Sequence, residues 1–454
     1  MKNLSCDLLK CLSEEDMKKI HLATMRILRE VGVSVEAEEA RQALDQLGCA
    51  VDPKTKKAYF PQHVVEEAVH TAPKSYTLYA QKPEFNLVLD NNRVYFGPGG
   101  LCLNVIDIET EEVRRSNTQD LVDLAYLINK MDNIDFYTTA VFPNEVGKEE
   151  VDIVAAKAGL EHCNKHVTTA GMLYEGTLQV LDYAAKKVGG FEQLAKTPIV
   201  SFICDTVSPF VLENINTKNS MECARRGVPV IVGSECMAGG TSPATMAGTL
   251  VQINAEVLAS LCVHQGAKKG APFMYGTVSS VMDMRKGGYT AGAIETGILT
   301  AAATQMGHYY NLPVYGTAGM SDAKIPDIQS GYERALTLLT GALAGSNYIH
   351  DAVGMLEFAM TFSFSQAVID NEIIGMIKRV MEGIKVNDDT LAVDLMLKVG
   401  SGGNYLAEKH TIEYIKKEHF FPEIANRQSR ESWIAAGAKD ANQTAMEIVR
   451  GILR

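Results

Sequence analysis

The feature that most constrains this chain is a rhythm. Eight short apolar runs, at residues 94–96, 135–141, 166–172, 198–204, 228–233, 271–276, 312–316 and 346–350, alternate with helical patterns. The helical stretches fall at 118–131, 149–163, 176–188, 214–226, 243–266, 290–309 and 328–344, with a last one at 363–382. Runs such as Gly227-Val-Pro-Val-Ile-Val and Leu312-Pro-Val-Tyr are short, β-rich and entered after glycine or proline, as parallel strands buried on both faces are. Eight strands, each followed by a helix, is the arithmetic of a (β/α)8 barrel of TIM type. An open doubly wound sheet is the competing arrangement. The first strand is the weakest of the set, being short and followed by a β-like insertion through Val113.

The flanks are less regular. Helical stripes at 14–31, 37–47 and 61–72 precede strand-like alternations at 75–80 and 85–89, and Asp90-Asn-Asn92 reads as a turn into Arg93-Val-Tyr-Phe96. The expected organisation of the α/β chain is therefore an N-terminal α+β extension over 1–93 packed on the barrel, the barrel at 94–384, and C-terminal helices over 385–454 that pack on the barrel or on a partner subunit. At 454 residues the chain suits one elaborated barrel. Its net charge of −12 argues against binding nucleic acid, whose phosphates would repel it. No stretch approaches the roughly 20 uninterrupted apolar residues of a membrane span. The amino terminus lacks the apolar core of a signal peptide, and the nine cysteines include no C-x-x-C pair, so a cytoplasmic protein with reduced thiols and no membrane association is expected.

Barrel enzymes act at the carboxyl ends of their strands. The residues expected there include Tyr95, Phe96 and the turn Gly97-Pro-Gly-Gly100, then Asp205, Glu235, Tyr315, Asp322, His350 and Asp351. No metal centre is expected: the nearest histidine pair, His162 and His166, straddles a helix end and a strand start, at the wrong end of a barrel. Neither G-x-G-x-x-G nor G-x-x-x-x-G-K-[ST] is present, and there is no G-x-S-x-G nucleophile elbow. Lys324 could form a Schiff base, but it lies eight residues beyond its strand. Aromatic residues near the strand ends, among them Tyr95, Phe96, Tyr174, Tyr315, Phe358 and Phe362, allow another chemistry. An aromatic pocket with a nearby acid holds a quaternary ammonium group by cation–π attraction. Core packing is the alternative for each of them, and the better one for Phe362.

The run Val314-Tyr-Gly-Thr-Ala-Gly-Met-Ser-Asp-Ala-Lys-Ile-Pro-Asp-Ile-Gln-Ser-Gly-Tyr-Glu333 resembles a signature of the trimethylamine methyltransferase superfamily. Tyr95-Phe-Gly-Pro-Gly-Gly100, Val368-Ile-Asp-Asn-Glu-Ile373, Val399-Gly-Ser-Gly-Gly403 and Thr24-Met-Arg-Ile-Leu-Arg-Glu-Val-Gly-Val33 extend the resemblance over nearly the whole chain. Founding members carry pyrrolysine and demethylate trimethylamine. This chain has only the twenty standard residues and so resembles the non-pyrrolysine branch. That resemblance implies a methyltransferase acting on a quaternary amine such as glycine betaine, proline betaine or carnitine. The methyl group would pass by SN2 displacement to the Co(I) corrinoid (cobalamin) of a separate small protein. No cofactor would be permanently bound, since the chain has no Asp-x-His-x-x-Gly cobalamin-ligand motif.

On that reading no side chain is assigned to bond-making, and the site works by positioning. Tyr95, Phe96 and Phe358 are expected to cage the trimethylammonium group, with Tyr315 nearby. His350 and the backbone N–H groups of the turn carrying Gly97, Gly99 and Gly100 would bind a carboxylate or other polar end. Asp205, Glu235 and Asp322 would offset the cation. A homo-oligomer is expected. Two other classes remain: a different TIM-barrel enzyme, of lyase or aldolase type, using Lys324, and a non-catalytic protein that binds quaternary amines.

Overall fold

In the computed structural model, which describes residue 4 and residues 6–90 and 93–453, the eight apolar runs form eight parallel strands. They are β1 (Tyr95–Phe96), β2 (Phe136–Thr138), β3 (His166–Ala170), β4 (Val200–Ile203), β5 (Val230–Ser234), β6 (Phe273–Thr277), β7 (Val314–Thr317) and β8 (Tyr348–His350). Pairing runs in chain order from β2 to β8, and β8 returns to β1 through Tyr348↔Tyr95 and Ile349↔Phe96. An open doubly wound sheet is thereby ruled out, because its strand order would reverse at a switch point. Part of the expected turn at Asp90–Asn92 lies outside the described residues.

The seam between β1 and β2 closes without a regular ladder. Asp135 N–H donates to the Phe96 carbonyl at 2.7 Å, and the Asp135 carboxylate accepts the Phe96 N–H at 2.9 Å. Lys378 holds that carboxylate from outside at 2.9 Å. Further up, Cys102 N–H donates to the Ala140 carbonyl at 2.9 Å. A two-residue strand offers too few backbone groups for a full ladder, so a side chain completes the ring.

Eight helices follow the strands: α1 (Thr118–Lys130), α2 (Val151–His162), α3 (Tyr174–Val188), α4 (Asn214–Arg226), α5 (Met246–Ala267), α6 (Ile294–Tyr309), α7 (Ile328–Ala344) and α8 (Phe364–Met381). Local signals set their ends. Asn117 and Asp120 form a reciprocal capping box on α1, and Asp327 caps α7, which stops at Gly345 in the left-handed conformation. Among the described residues only α5 is long and apolar enough to cross a membrane, and 78% of its most apolar window is buried, as in a barrel-wall helix. The N-terminal helices Glu14–Glu30, Glu38–Gln46 and Gln62–Thr71 pack against α5.

What distinguishes the two barrel ends decides where a ligand can go. At the amino end a hairpin of Tyr76–Leu78 and Leu87–Leu89 plugs the ring, its Leu78, Leu87 and Leu89 packing under Tyr95, Phe136, Met274 and Tyr348. Phe136 and Tyr348 stack there with ring centroids 3.7 Å apart. The carboxyl end is built up by two small sheets. One joins Asn104–Ile106 and Val113–Arg115 to Met355–Leu356 and Thr361–Ser363; the other joins Met237–Ala238, Ser280–Asp283 and Gly288–Thr290. The barrel is stoppered below and walled above.

The C-terminal region is of two kinds. Ala441–Leu453 packs on α8 and α1, whereas the helices Asp388–Leu391, Val393–Val399, Lys409–Glu418 and Arg430–Ala435 contain no buried residue.

Candidate active site

A cavity of about 550 Å³ opens at the carboxyl end of the barrel, within the range of about 300–1,000 Å³ usual for small-molecule sites. Asp205, from the end of β4, and Glu235, from the end of β5, form one wall. His350 and Asp351, from the end of β8, form the opposite one, and Tyr315 of β7 rises between them. Tyr289, Met237 and Thr241 come from the second rim sheet and its loops, and Met355 and Ala359 from the first.

The His350 ring is fixed at both nitrogens. Gly100 N–H donates to Nε2 at 3.2 Å, so the proton sits on Nδ1, which is 3.0 Å from both the Tyr315 hydroxyl and the Asp351 carboxylate. Thr317 donates its hydroxyl to the same Asp351 oxygen, while Oδ1 of Asp351 is buried with no hydrogen-bond partner. Asp351 adopts φ +66°, a left-handed conformation a non-glycine residue holds only when its surroundings enforce it. Gly99 is what allows this packing: a Cβ there would overlap His350 Nε2 and Asp351 Oδ1. Gly99→Ala is expected to displace the His350–Asp351 pair and lower kcat/KM by about a hundredfold. Steady-state kinetics beside an unchanged far-ultraviolet circular dichroism spectrum is the check.

Across the cavity, Asp205 accepts the Gly233 N–H at 2.5 Å, and Asn216 Nδ2 donates to the Asp205 carbonyl at 3.0 Å. Burial, reinforced by the charge of Glu235, holds the Asp205 carboxyl well above the usual range. Glu235 is also raised, by burial and then by Asp351. Burial and the same acids push the phenols of Tyr315 and Tyr289 up, so both remain hydroxyl donors. Behind this wall, Glu256 of α5 gathers the loops that carry the two acids. It accepts hydroxyls from Thr206 (3.0 Å), Ser208 (2.8 Å) and Ser234 (2.6 Å) and the Phe210 N–H at 2.9 Å.

Of the residues expected to form the site, Asp205, Glu235, Tyr315, His350 and Gly100 converge on this cavity. The aromatic cage does not form from Tyr95, Phe96 and Phe358. Tyr95 lies deep in the plugged end, where its hydroxyl meets the Val88 carbonyl at 3.3 Å. Phe96 faces outward into the core, 5.7 Å from Lys378 Nζ. Phe358 sits on the outer rim at 40% exposure, with Lys324 Nζ 4.1 Å from its ring. The turn at Gly97–Gly100 is not an open anion nest, because Gly97 N–H donates to the Ile349 carbonyl and Gly100 N–H to His350. Asp322 is a loop anchor that accepts the Ala291 and Gly292 amides, and Lys324 lies outside the cavity, bonded to the Asp322 carbonyl.

Several lining residues escaped assignment from the sequence. Asp351 follows His350 directly and stood among the strand ends, but its role depends on the left-handed backbone. Tyr289 arrives on the hairpin of Ser280–Asp283 and Gly288–Thr290, whose signal is the Lys286-Gly-Gly turn between two alternating stretches. Among the described residues, no His, Cys, Asp or Glu side chains are grouped to hold a metal ion.

Comparison with known proteins places this architecture. The family model for trimethylamine methyltransferase (MTTB) matches residues 3–454. The chain belongs to this family. Trimethylamine methyltransferase MttB of Desulfitobacterium hafniense (strain DSM 10664 / DCB-2) is 37% identical over 442 residues, covering 97% of this chain and 88% of that one. The glycine betaine methyltransferase of Desulfitobacterium hafniense (strain Y51) is 30% identical over 423 residues, covering 93% and 88%. The crystal structure of the Methanosarcina barkeri monomethylamine methyltransferase MtmB superposes with a TM-score of 0.56 over 99% of this chain and 95% of that one. At 10% identity that likeness is one of fold, and it shows the same TIM-type barrel in this MTTB family member.

Proposed function

We propose that this chain transfers a methyl group from a quaternary amine to the Co(I) corrinoid of a separate protein in the cytoplasm. The observation that carries the reading is the cavity itself: three carboxylates, Asp205, Glu235 and Asp351, around a space of about 550 Å³ in a member of a methylamine methyltransferase family. Three acidic side chains gathered around one cavity, with no lysine or arginine among the described residues lining it, favour a cationic ligand. Tyr315 and Tyr289 add aromatic surface, and Met237, Met320 and Met355 add polarizable apolar contact for N-methyl groups.

The residues' task follows from the substrate's charge. A quaternary nitrogen is already positive, so the amine departs neutral and takes the C–N bonding pair with it; no proton has to be supplied. Asp205, Glu235 and Asp351 bind the cation and fix which N-methyl points up the cavity. The paired rings of His350 and Tyr315 keep Asp351 in place, and the rim sheets exclude water. Such positioning can contribute up to about 7–11 kcal/mol. The corrinoid supplies the nucleophile.

Its carrier needs a surface around the mouth, and the rim offers one. Met172 after β3, Val207 after β4, Met284 after β6, Ile328 after β7 and Phe358 and Met360 after β8 are all exposed. Apolar side chains from five separate loops around one opening suit a transient protein contact. The same reading includes a homo-oligomer, supported by the exposed Leu397 and Ile412 on C-terminal helices that contain no buried residue, and by the exposed Leu406 in the turn between them.

The purified protein, incubated with Co(I) corrinoid protein and a panel of quaternary amines, should convert the corrinoid to its methylated Co(III) spectrum with at least one of them. No conversion with any quaternary amine would refute the reading. A lyase or aldolase acting through Lys324 has no support in the geometry, since that amine faces the Phe358 ring outside the cavity.

A further inference from the structure

We propose that the cavity selects a quaternary ammonium cation with a short, uncharged, hydroxyl-bearing tail, of the choline class, over a zwitterionic betaine. This rests on the quaternary-amine reading above and narrows it.

Asp205, Glu235 and Asp351 line the cavity, and among the described residues no lysine or arginine does. The cations on the loop and helix after β7 are committed elsewhere. Lys324 donates to the Asp322 carbonyl at 2.7 Å and lies over Phe358, and Arg334 is fully buried in its pair with Asp370 at 2.9 Å. The imidazole does not substitute for them, because Nε2 of His350 is filled by the Gly100 amide and Nδ1 faces Asp351 and Tyr315. A betaine carboxylate entering here would meet only neutral donors, such as the second N–H of Asn216 and the hydroxyl of Thr241, among three acids. In one poorly solvated site a carboxylate tail opposes the ionisation of Asp205 and Glu235 that the bound ammonium group favours, so the two ends of a betaine work against each other there.

A hydroxyl tail reverses the balance, because it can donate where a carboxylate can only accept. Asp351 Oδ1 is buried and without a hydrogen-bond partner, beside the glycine turn at Gly99–Gly100. Thr241 Oγ1 already accepts the Met237 N–H at 2.9 Å and keeps a lone pair and a proton. Asp351 and Thr241 both line the cavity, so a hydroxyl tail has an acceptor at the one and a donor–acceptor at the other, whichever end of the space it occupies. Within the chain Asp351 Oδ1 has no hydrogen-bond donor, and the hydroxyl of a choline-class ligand would supply one.

Isothermal titration of the full chain with choline, tetramethylammonium and glycine betaine tests this, with methyl transfer to the corrinoid protein measured alongside. Choline and tetramethylammonium are expected to bind at least about a hundredfold more tightly than glycine betaine, with choline the tighter of the two. Glu235→Gln should weaken choline and leave glycine betaine unchanged or improved. Glycine betaine bound or demethylated as well as choline would overturn this inference while leaving the quaternary-amine function intact. If no quaternary amine binds or reacts, both fail together. The wild-type ligand comparison decides the matter even if the variant does not fold.

Discussion

Arg334→Ala should lower the free energy of unfolding by about 3–5 kcal/mol and abolish a well-formed site. Arg334 and Asp370 are fully buried and pair at 2.9 Å. The guanidinium also donates to the carbonyls of Gly319 and Met355, and Asp370 accepts the Gly354 N–H at 2.7 Å and the Gln366 amide at 2.9 Å. One ion pair thus ties α7 and α8 to the loops after β7 and β8, which place Met320 and Met355 in the cavity. Removing the cation leaves a buried carboxylate and two carbonyls without their donor. Burial pushes the Asp370 carboxyl up to about 6 despite Arg334, so desolvation already works against the pair. The double variant Arg334→Met/Asp370→Leu should therefore recover much of the stability lost in Arg334→Ala. Urea titration of the three proteins measures both effects. Full stability in Arg334→Ala would mean the pair does not brace the barrel top.

The second large effect is on ligand binding. In the free protein the Asp205 and Glu235 carboxyls are raised by burial and by neighbouring acids. They therefore retain protons above the ordinary carboxyl range of about 4. A bound cation favours the ionised form, so binding releases protons. Affinity for a quaternary ammonium should rise with pH from that range upward, by up to about tenfold per pH unit for each proton released, and level off once both acids are ionised in the free protein. The stability sign is opposite. A raised pKa means the folded state binds more protons than the unfolded one, so the contribution of these two groups to stability is complete below pH ~4 and is lost as pH rises through the raised values. Calorimetry in two buffers of different ionisation enthalpy counts the protons. At about 5 Å and an effective dielectric of about 20, one carboxylate attracts a cation by roughly 3 kcal/mol. Asp205→Asn should accordingly cost ten- to a hundredfold in affinity, on that order, and reduce the proton release. Binding that neither depends on pH nor releases protons would remove these acids from the cation site.

The sequence carried most of this architecture for a physical reason. Parallel strands buried on both faces are largely apolar, and proline or glycine marks the entrances of several, among them the runs at 198, 228, 271 and 312, so the alternation of eight runs with helices could be located. The ends of β4, β5, β7 and β8 brought Asp205, Glu235, Tyr315 and His350 to one place because strand ends in a closed barrel face a shared axis. Depth was not legible. Tyr95 and Phe96 alternate inward and outward on β1, but the inward residue lies low in the ring, against a hairpin plug whose long-range docking no local pattern encodes. Phe358 was misplaced because Glu357, Phe358 and Ala359 form three consecutive left-handed residues, a turn that non-glycine residues rarely make and that sequence does not announce. The Gly97–Gly100 turn was expected to present its N–H groups to the polar end of a substrate. What approaches it is His350 and Asp351, a contact made by residues some 250 positions apart.

The central claim is that this cavity recognises positive charge rather than shape. Choline and 3,3-dimethylbutan-1-ol have nearly the same outline and differ in whether the branched centre is a cationic nitrogen or a neutral carbon. Titrating both into the protein at neutral pH isolates that difference. The account predicts that choline binds at least about a hundredfold more tightly than its neutral counterpart; equal affinities for the two would contradict it.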